Sequence, residues 1–475
     1  MDTYTSLREI QKELRSGAVS CVQLVESCLK NINKHSDLNA FLEVYHQESL
    51  QKAQRIDQKI AAGTAGRLAG LVVGLKDMLC YQNHGLQAGS KILEGFESQF
   101  NGTAVERLLD EDAIIIGRQN CDEFGMGSSN ENSAFGPVAN GLDENRVSGG
   151  SSGGSAVSVQ MDMCHVSLGT DTGGSVRQPA AYTGVIGFKP TYSRISRYGL
   201  ISYASSFDSI GILTKNIADN ALILEIIAGA DEFDSTVSRL PVPEFSDIRT
   251  LKPCKIGYIR ESMETEGIQD EVKENTIEQL ERLKQAGHQV EPVEFPLLEY
   301  VLPTYYLLTT AEASSNLSRY DGIKYGYRSK YEESLDTFYK NTRSEGFGKE
   351  VQKRIMLGTF VLSASYYDAY YTKAQKVRRL IKDKTRELFN QFDFLVMPTT
   401  PTSAFELGKF ADDPLEMYWS DLFTTPASVS GNPAISIPNG FDKNGLPVGF
   451  QIIAEDFNEL GLYALSDEIL KGRHN

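Results

Sequence analysis

Two glycine-rich turns carry serines close together in the chain, Gly149-Gly150-Ser151-Ser152-Gly153-Gly154-Ser155 and Gly169-Thr170-Asp171-Thr172-Gly173-Gly174-Ser175. Glycine lets backbone turn sharply or approach a ligand closely, and a serine held on such a turn can hydrogen-bond or attack. Taken alone, each run reads equally well as flexible linker. The stretch between them, Ala156 to Leu168, is instead apolar enough for a buried helix leading into a short strand, and 182–188 reads as another buried strand. Glycine turns set between core elements predict a rigid cradle.

Several chemistries compete for these turns. Gly149-Gly150-Ser151-Ser152-Gly153 matches the G-x-S-x-G elbow, but that elbow follows an apolar strand, and the residues from Asp143 to Val147 do not form one. The elbow also requires a histidine downstream, and none of the six (His35, His46, His84, His165, His288, His474) sits in a suitable loop. Asp171-Thr172-Gly173 matches the aspartic-protease triplet, yet no second copy supplies the opposed carboxylate. A phosphate loop would need Gly-Lys-Ser/Thr, which is absent. What remains is serine chemistry without histidine, which needs another base. Lys76 is available at the end of the apolar run Leu68–Leu75. It is either a solvated strand end or a desolvated amine whose lowered pKa frees its lone pair. Asp77 would point to the opposite face of a continuing strand, so it is not an obvious partner.

The elements around these residues read as α/β. Thr5 or Ser6 caps a helix carrying Leu7, Ile10 and Leu14, Ser20 caps a second with Val22, Leu24, Val25, Cys28 and Leu29, and a third covers Leu50–Ile60. Thr103–Gly117 gives a helix and then a parallel-type strand, followed by a polar loop, 124–136, that either lines a cleft or simply connects. A helix spans Ala218–Ala230, and a strand, a helix and a strand occupy 255–295. Residues 300–392 are mostly helical and rich in tyrosine, and strands return at Asp393–Pro398 and Pro433–Pro438. The alternation predicts an α/β sheet. Closing strands that share a sheet with the opening half favour a single domain over 1–475. It would have a helical arm at 1–65, a core at 66–220, a mostly helical insertion at 250–390 and closing strands at 391–475.

Composition narrows the class. With 475 residues, 41% hydrophobic and 23% charged, the chain can bury a large core. A formal charge of −16 argues against a broad basic face for nucleic acid. Six scattered cysteines (Cys21, Cys28, Cys80, Cys121, Cys164, Cys254) show neither zinc spacing nor a disulfide framework and fit a reducing cytoplasm. The residues from Met1 to Ile10 lack signal-peptide features, and no run approaches the ~20 apolar residues of a membrane span.

Lys76, the Ser151 turn and the continuation Ser175-Val176-Arg177-Gln178-Pro179-Ala180 resemble, in type and spacing, the amidase signature family over roughly residues 70–215. Asp122–Gly136, Glu312–Tyr327 and Arg354–Gly358 extend the resemblance over nearly the whole chain, toward the glutamine-hydrolysing subunits of tRNA-dependent amidotransferases. The resemblance implies an α/β fold with a large mixed β-sheet covered by helices on both faces. It implies a Ser-Ser-Lys triad in which neutral Lys76 takes a proton from Ser151, Ser151 takes one from Ser175, and Ser175 attacks the side-chain amide of glutamine. Backbone N–H groups of Thr172, Gly173, Gly174 and Ser175 would form the oxyanion hole. Arg354 would hold the substrate carboxylate, Asp421 its ammonium, and Tyr306 would add a hydrogen bond. No metal or cofactor is implied in this chain. The resemblance implies that ATP and Mg are used by a tRNA-binding partner subunit, which would receive ammonia through a channel and, with a small third subunit, complete a heterotrimer. The alternative within the family is a stand-alone amidase for small or aryl amides, and a non-catalytic scaffold with a relict site is the third reading. One departure is visible: in Ser206–Ile212, Ile212 stands where the family carries proline.

Overall fold

Strands that alternate with helices in sequence end up side by side in one mixed sheet. The computed structural model describes residues 4–330, 334–410 and 414–472. Among them eleven strands are formed: β1 Phe41–Val44, β2 Val72–Lys76, β3 Ile114–Gln119, β4 Val166–Asp171, β5 Ile186–Lys189, β6 Ser209–Thr214, β7 Lys255–Ile259, β8 Gln289–Val293, β9 Phe394–Pro398, β10 Ala434–Phe441 and β11 Pro447–Ala454. Their spatial order is β1-β3-β2-β4-β6-β5-β10-β11-β9-β7-β8. The β3-β2-β4 and β9-β7-β8 groups are parallel, and antiparallel pairs join them through the middle.

Alternate side chains along a strand face opposite sides, so each strand feeds two cores. Val73 and Leu75 of β2, Ile115 of β3 and Val396 of β9 pack on one face, against the helices Ile217–Ile227 and Glu459–Gly472. Val72, Ile114 and Ile116 face the other way, onto the helices Cys21–Lys34 and Gly153–Gln160. Leu395 and Met397 face a second cluster on that reverse side, built with the helices Leu298–Asn316 and Lys373–Phe389. The helix Gly153–Gln160 is buried over seven of its eight positions, which is why it reads as apolar all round.

The sequence reading needs three corrections. The N-terminal arm is not all helix, because Phe41–Val44 pairs antiparallel with β3. Four residues wedged between two helices carry no period for a pattern to detect. Tyr182 lies in the helix Arg177–Thr183, and the strand begins only at Ile186. The two strands expected within 255–295 form as β7 and β8 and join the common sheet. The closing segment carries β11 in addition to β9 and β10, paired with both. Ser6 and Ser20 cap the first two helices, as their positions predict. Ile212 pairs with Leu168 in the β4–β6 ladder and with Phe188 in the β5–β6 ladder.

Candidate active site

The carboxyl ends of β3, β2 and β4 open at one edge of the sheet, the place where open α/β sheets meet their ligands. There β2 ends in Lys76 and β4 in Asp171. The chain leaving β3 passes through 120–152 and returns to β4 by the helix Gly153–Gln160, so both glycine turns fall at this edge.

Lys76 is fully buried. Its Nζ lies 2.6 Å from Ser151 Oγ, 2.9 Å from Ser152 Oγ and 2.8 Å from Thr170 Oγ1. The Ser152 hydroxyl donates to the Thr170 carbonyl at 3.1 Å, and that of Thr170 is directed at Met78 Sδ at 3.8 Å. With those protons turned elsewhere, both oxygens face Lys76 as acceptors, and Ser151 is the partner from which the amine can receive a proton. Burial lowers the Lys76 ammonium to about 8, against the opposing pull of Cys121, Asp122, Asp171 and Asp208. Asp77 is turned away as expected: it accepts from Arg118 Nη1 at 2.8 Å and from the N–H groups of Gln87 and Gly89 at 2.9 and 2.8 Å. Ser152 and Thr170 are contacts the sequence reading did not assign, although both stand within the glycine-rich runs.

The second turn is fixed from behind. Asp171 is buried and forms a two-pronged pair with Arg177, Nε to Oδ2 at 3.0 Å and Nη2 to Oδ1 at 2.9 Å. Burial pushes the Asp171 carboxyl up, but Arg177 holds it below its ordinary value. Arg177 also donates to the Thr424 carbonyl at 2.7 Å and to Gln451 Oε1 at 2.6 Å. Gly174 has φ of +133°, and a Cβ there would stand 2.1 Å from Thr424 Oγ1, so only glycine fits. The turn also corrects one expected oxyanion donor. The Gly174 N–H is committed to Asp171 Oδ1 at 2.9 Å, which leaves Thr172, Gly173 and Ser175 as candidates. Ser152 N–H donates to the Ser175 carbonyl at 3.0 Å, tying the two turns together. Ser151 is 0% exposed and Ser175 7%, so Ser175 is the serine an incoming substrate can meet.

The polar loop 124–136 lines the site as well as connecting. The Asp122 carboxylate accepts from the N–H groups of Asn130 at 2.9 Å and Asn132 at 3.0 Å, and its own N–H donates to the Ser151 carbonyl at 3.1 Å. It lies so near the first turn that a Cβ on Gly150 would meet Asp122 Oδ2 at 2.1 Å. The peptide joining Gly150 to Ser151 is cis.

Of the residues expected to bind substrate, Tyr306 and Asp421 touch: the phenol donates to Asp421 Oδ2 at 3.0 Å. Ser128 donates to the same oxygen at 2.7 Å, and Gln178 reaches Oδ1 at 3.4 Å. Burial raises the Asp421 carboxyl to about 6. Arg354 is buried, with its guanidinium 5.2 Å from the Tyr306 ring centre. It donates to Glu350 Oε1 and to Tyr203 Oη, both at 2.9 Å. Glu350, Tyr203, Ser128 and Gln178 were missed; only Glu350, one helical turn before Arg354, carried a spacing signal. A cavity of 550 Å³ opens against Tyr306 and Arg354, with Leu302, Leu357, Tyr418 and Trp419 among its lining. A larger one of 760 Å³, lined by Arg249, Lys252 and Cys254, shares no residue with the lysine–serine cluster.

Histidine stays out of this chemistry. His165 stacks on Tyr4 and burial drives it down to about 3, and His288 bonds to Cys254 and Glu468. His474 lies outside the described residues. Among the described residues, no helix is long and apolar enough to cross a membrane.

A serine-based amide-cleaving fold is what this arrangement defines, and the chain belongs to the amidase family, whose model, described as Amidase, matches residues 23–462. It is 49% identical over 474 residues to the glutamyl-tRNA(Gln) amidotransferase A-subunit of Chlorobium phaeobacteroides (strain BS1), covering 99% of each chain. It is 49% identical over 460 residues to the protein of that name from Chlorobaculum tepidum, covering 96% of this chain and 95% of that one. Among solved structures, it superposes on the same-named protein from Thermotoga maritima with a TM-score of 0.77 at 38% identity, covering 94% and 90% of the two chains. The peptide amidase of Stenotrophomonas maltophilia gives 0.84 at 28% identity, covering 99% and 97%.

Proposed function

We propose that this chain is the glutamine-hydrolysing subunit of a tRNA-dependent amidotransferase. The observation that carries the reading is a lysine buried without a carboxylate partner at Nζ among the described residues, 2.6 Å from a serine on one glycine turn and beside a second turn ending in a more accessible serine.

In the mechanism, neutral Lys76 accepts the Ser151 proton as Ser151 accepts that of Ser175. Ser175 Oγ then bonds to the side-chain carbonyl carbon of glutamine, and the carbonyl electron pair moves onto oxygen. The N–H groups of Thr172, Gly173 and Ser175 receive that oxyanion, and one such donor is worth ~10²–10³ in rate. Collapse of the intermediate breaks the C–N bond, and the relay returns its proton to the departing ammonia. Water, deprotonated through the same relay, frees glutamate from Ser175. Asp421, with Tyr306 and Ser128, receives the substrate ammonium, and Arg354 receives its carboxylate. Ammonia passes to a partner subunit that binds the tRNA and uses ATP with Mg, with a small third subunit completing the assembly. The six free thiols suit the cytoplasm, where we place the complex.

The test is ammonia release from glutamine by the wild-type chain and by Ser175→Ala, with hydroxylamine trapping of the acyl-enzyme read by mass spectrometry. Loss of both signals is expected, and retained hydrolysis by the variant overturns the assignment. The largely apolar cavity beside Arg354 gives a specific reason to weigh the second reading, a stand-alone amidase for small or aryl amides. That reading predicts faster turnover of an anilide than of glutamine.

A further inference from the structure

Asp122 and Glu123 are neighbours in the chain, but their carboxylates serve two different parts of the site. Asp122 packs against Gly150 and holds the loop behind Ser151. Glu123 is 2% exposed and reaches the opposite way, to the start of the helix Lys349–Val361 that carries Glu350 and Arg354. The Gly348 N–H, in the cap position of that helix, donates to Glu123 Oε2 at 2.8 Å and to Oε1 at 3.1 Å. Gly348 contributes no capping side chain of its own. A Cβ there would stand 2.4 Å from Glu123 Oε2, so the carboxylate occupies the space that a side chain would take. Ser90 donates its hydroxyl to Glu123 Oε1. Ser90 follows Gly89, whose N–H is held by Asp77, the residue after Lys76.

We infer that Glu123 is a positioning residue for substrate recognition, setting the distance between the lysine–serine turns and the helix that presents Arg354. A carboxylate at a helix N-terminus satisfies an orphan N–H and opposes the positive end of the dipole. This one comes from the segment that also braces the Ser151 turn, so it couples two parts of the chain that are far apart in sequence. The helix bearing Arg354 is therefore referenced to Ser151 through two consecutive residues and one hydrogen-bonded cap. Loss of the cap lets Arg354 drift relative to Ser175 while the triad keeps its own contacts. The effect falls on substrates that use Arg354.

This inference rests on the glutaminase reading, and the experiment separates the two. The full chain, in the assembly that carries its activity, is assayed on glutamine and on butyramide, which lacks both the α-amino and the α-carboxylate group. Glu123→Gln keeps one acceptor, Glu123→Ala removes both, and Gly348→Ala pushes on the same contact from the other side at a backbone φ of −69° that alanine adopts freely. The expected result is a rise in KM for glutamine of about tenfold in Glu123→Ala and Gly348→Ala, smaller in Glu123→Gln, with kcat on both substrates and KM for butyramide within about twofold of wild type. An equal loss on both substrates, or a folding defect in every variant, would show a purely structural role and overturn the inference. So would unchanged kinetics on glutamine. If the wild type does not prefer glutamine over butyramide, the glutaminase reading fails whatever the variants do, and the inference falls with it.

Discussion

Lys76 Nζ and Ser151 Oγ stand 2.6 Å apart, and neither side chain is exposed to solvent. The amine is thus removed from the water that would keep it charged, and it faces a hydroxyl able to give up a proton. Replacing it tests both points. Lys76→Arg keeps a cation that does not deprotonate at working pH, and Lys76→Met keeps only the stem. Both should lower kcat for glutamine hydrolysis by ~10²–10⁴, the range of a lost general base, while the chain remains folded by circular dichroism.

The pH profile follows from two groups that must be deprotonated. Lys76 titrates at about 8, lowered by burial, and works only as the free amine. Asp421 titrates at about 6, raised by burial, and must be ionised to take an ammonium. In the free enzyme log(kcat/KM) for glutamine should therefore climb with slope two below about pH 6, slope one between about 6 and 8, and then level. For butyramide the lower limb should vanish and the upper remain. A profile that rises toward low pH would contradict both assignments.

Asp421→Asn leaves Tyr306 and Ser128 their acceptor shape but removes the charge. KM for glutamine should rise roughly 10- to 100-fold, the worth of a charge-assisted hydrogen bond, with kcat nearly unchanged. Steady-state ammonia release over a wide glutamine range gives the split.

Arg177→Met tests the brace behind the nucleophile. It leaves Asp171 buried without its partner, a loss of about 3–5 kcal/mol. Chemical denaturation of wild type and variant should show it as a lower midpoint, and hydrolysis should fall as well because Asp171 also fixes Gly174 and Val176.

How much of this was legible before the structure depends on distance along the chain. Lys76 could be singled out because it ends an apolar run, and Ser151 and Ser175 because each follows a pair of glycines on a turn between core elements. Tyr306, Arg354 and Asp421 were found only by resemblance, since local pattern cannot show that Tyr306 donates to a carboxylate 115 residues onward. Asp171 matched only an aspartic-protease triplet without a second copy and was left without a role, because the sequence gives no sign that Arg177 folds back over it. Gly174 was expected to lend its N–H to substrate, but the tight turn hands that proton to Asp171. The strand at Phe41–Val44 was invisible because its four residues owe their conformation to pairing with β3 rather than to their own pattern. The one departure from the resembled family, Ile212, lies opposite Leu168, on the same strand as the Thr170 that touches Lys76.

Arg177 reaches Thr424 and Gln451, so the turn that ends in Ser175 is braced by residues translated 247 and 274 positions after Arg177. A chain that has emerged from the ribosome only a little past Arg177 holds all three residues of the proposed triad but lacks the wall they lean on. Ammonia-releasing power should therefore wait until those later residues have been made, which spares the cell glutamine wasted by half-made or proteolytically shortened copies.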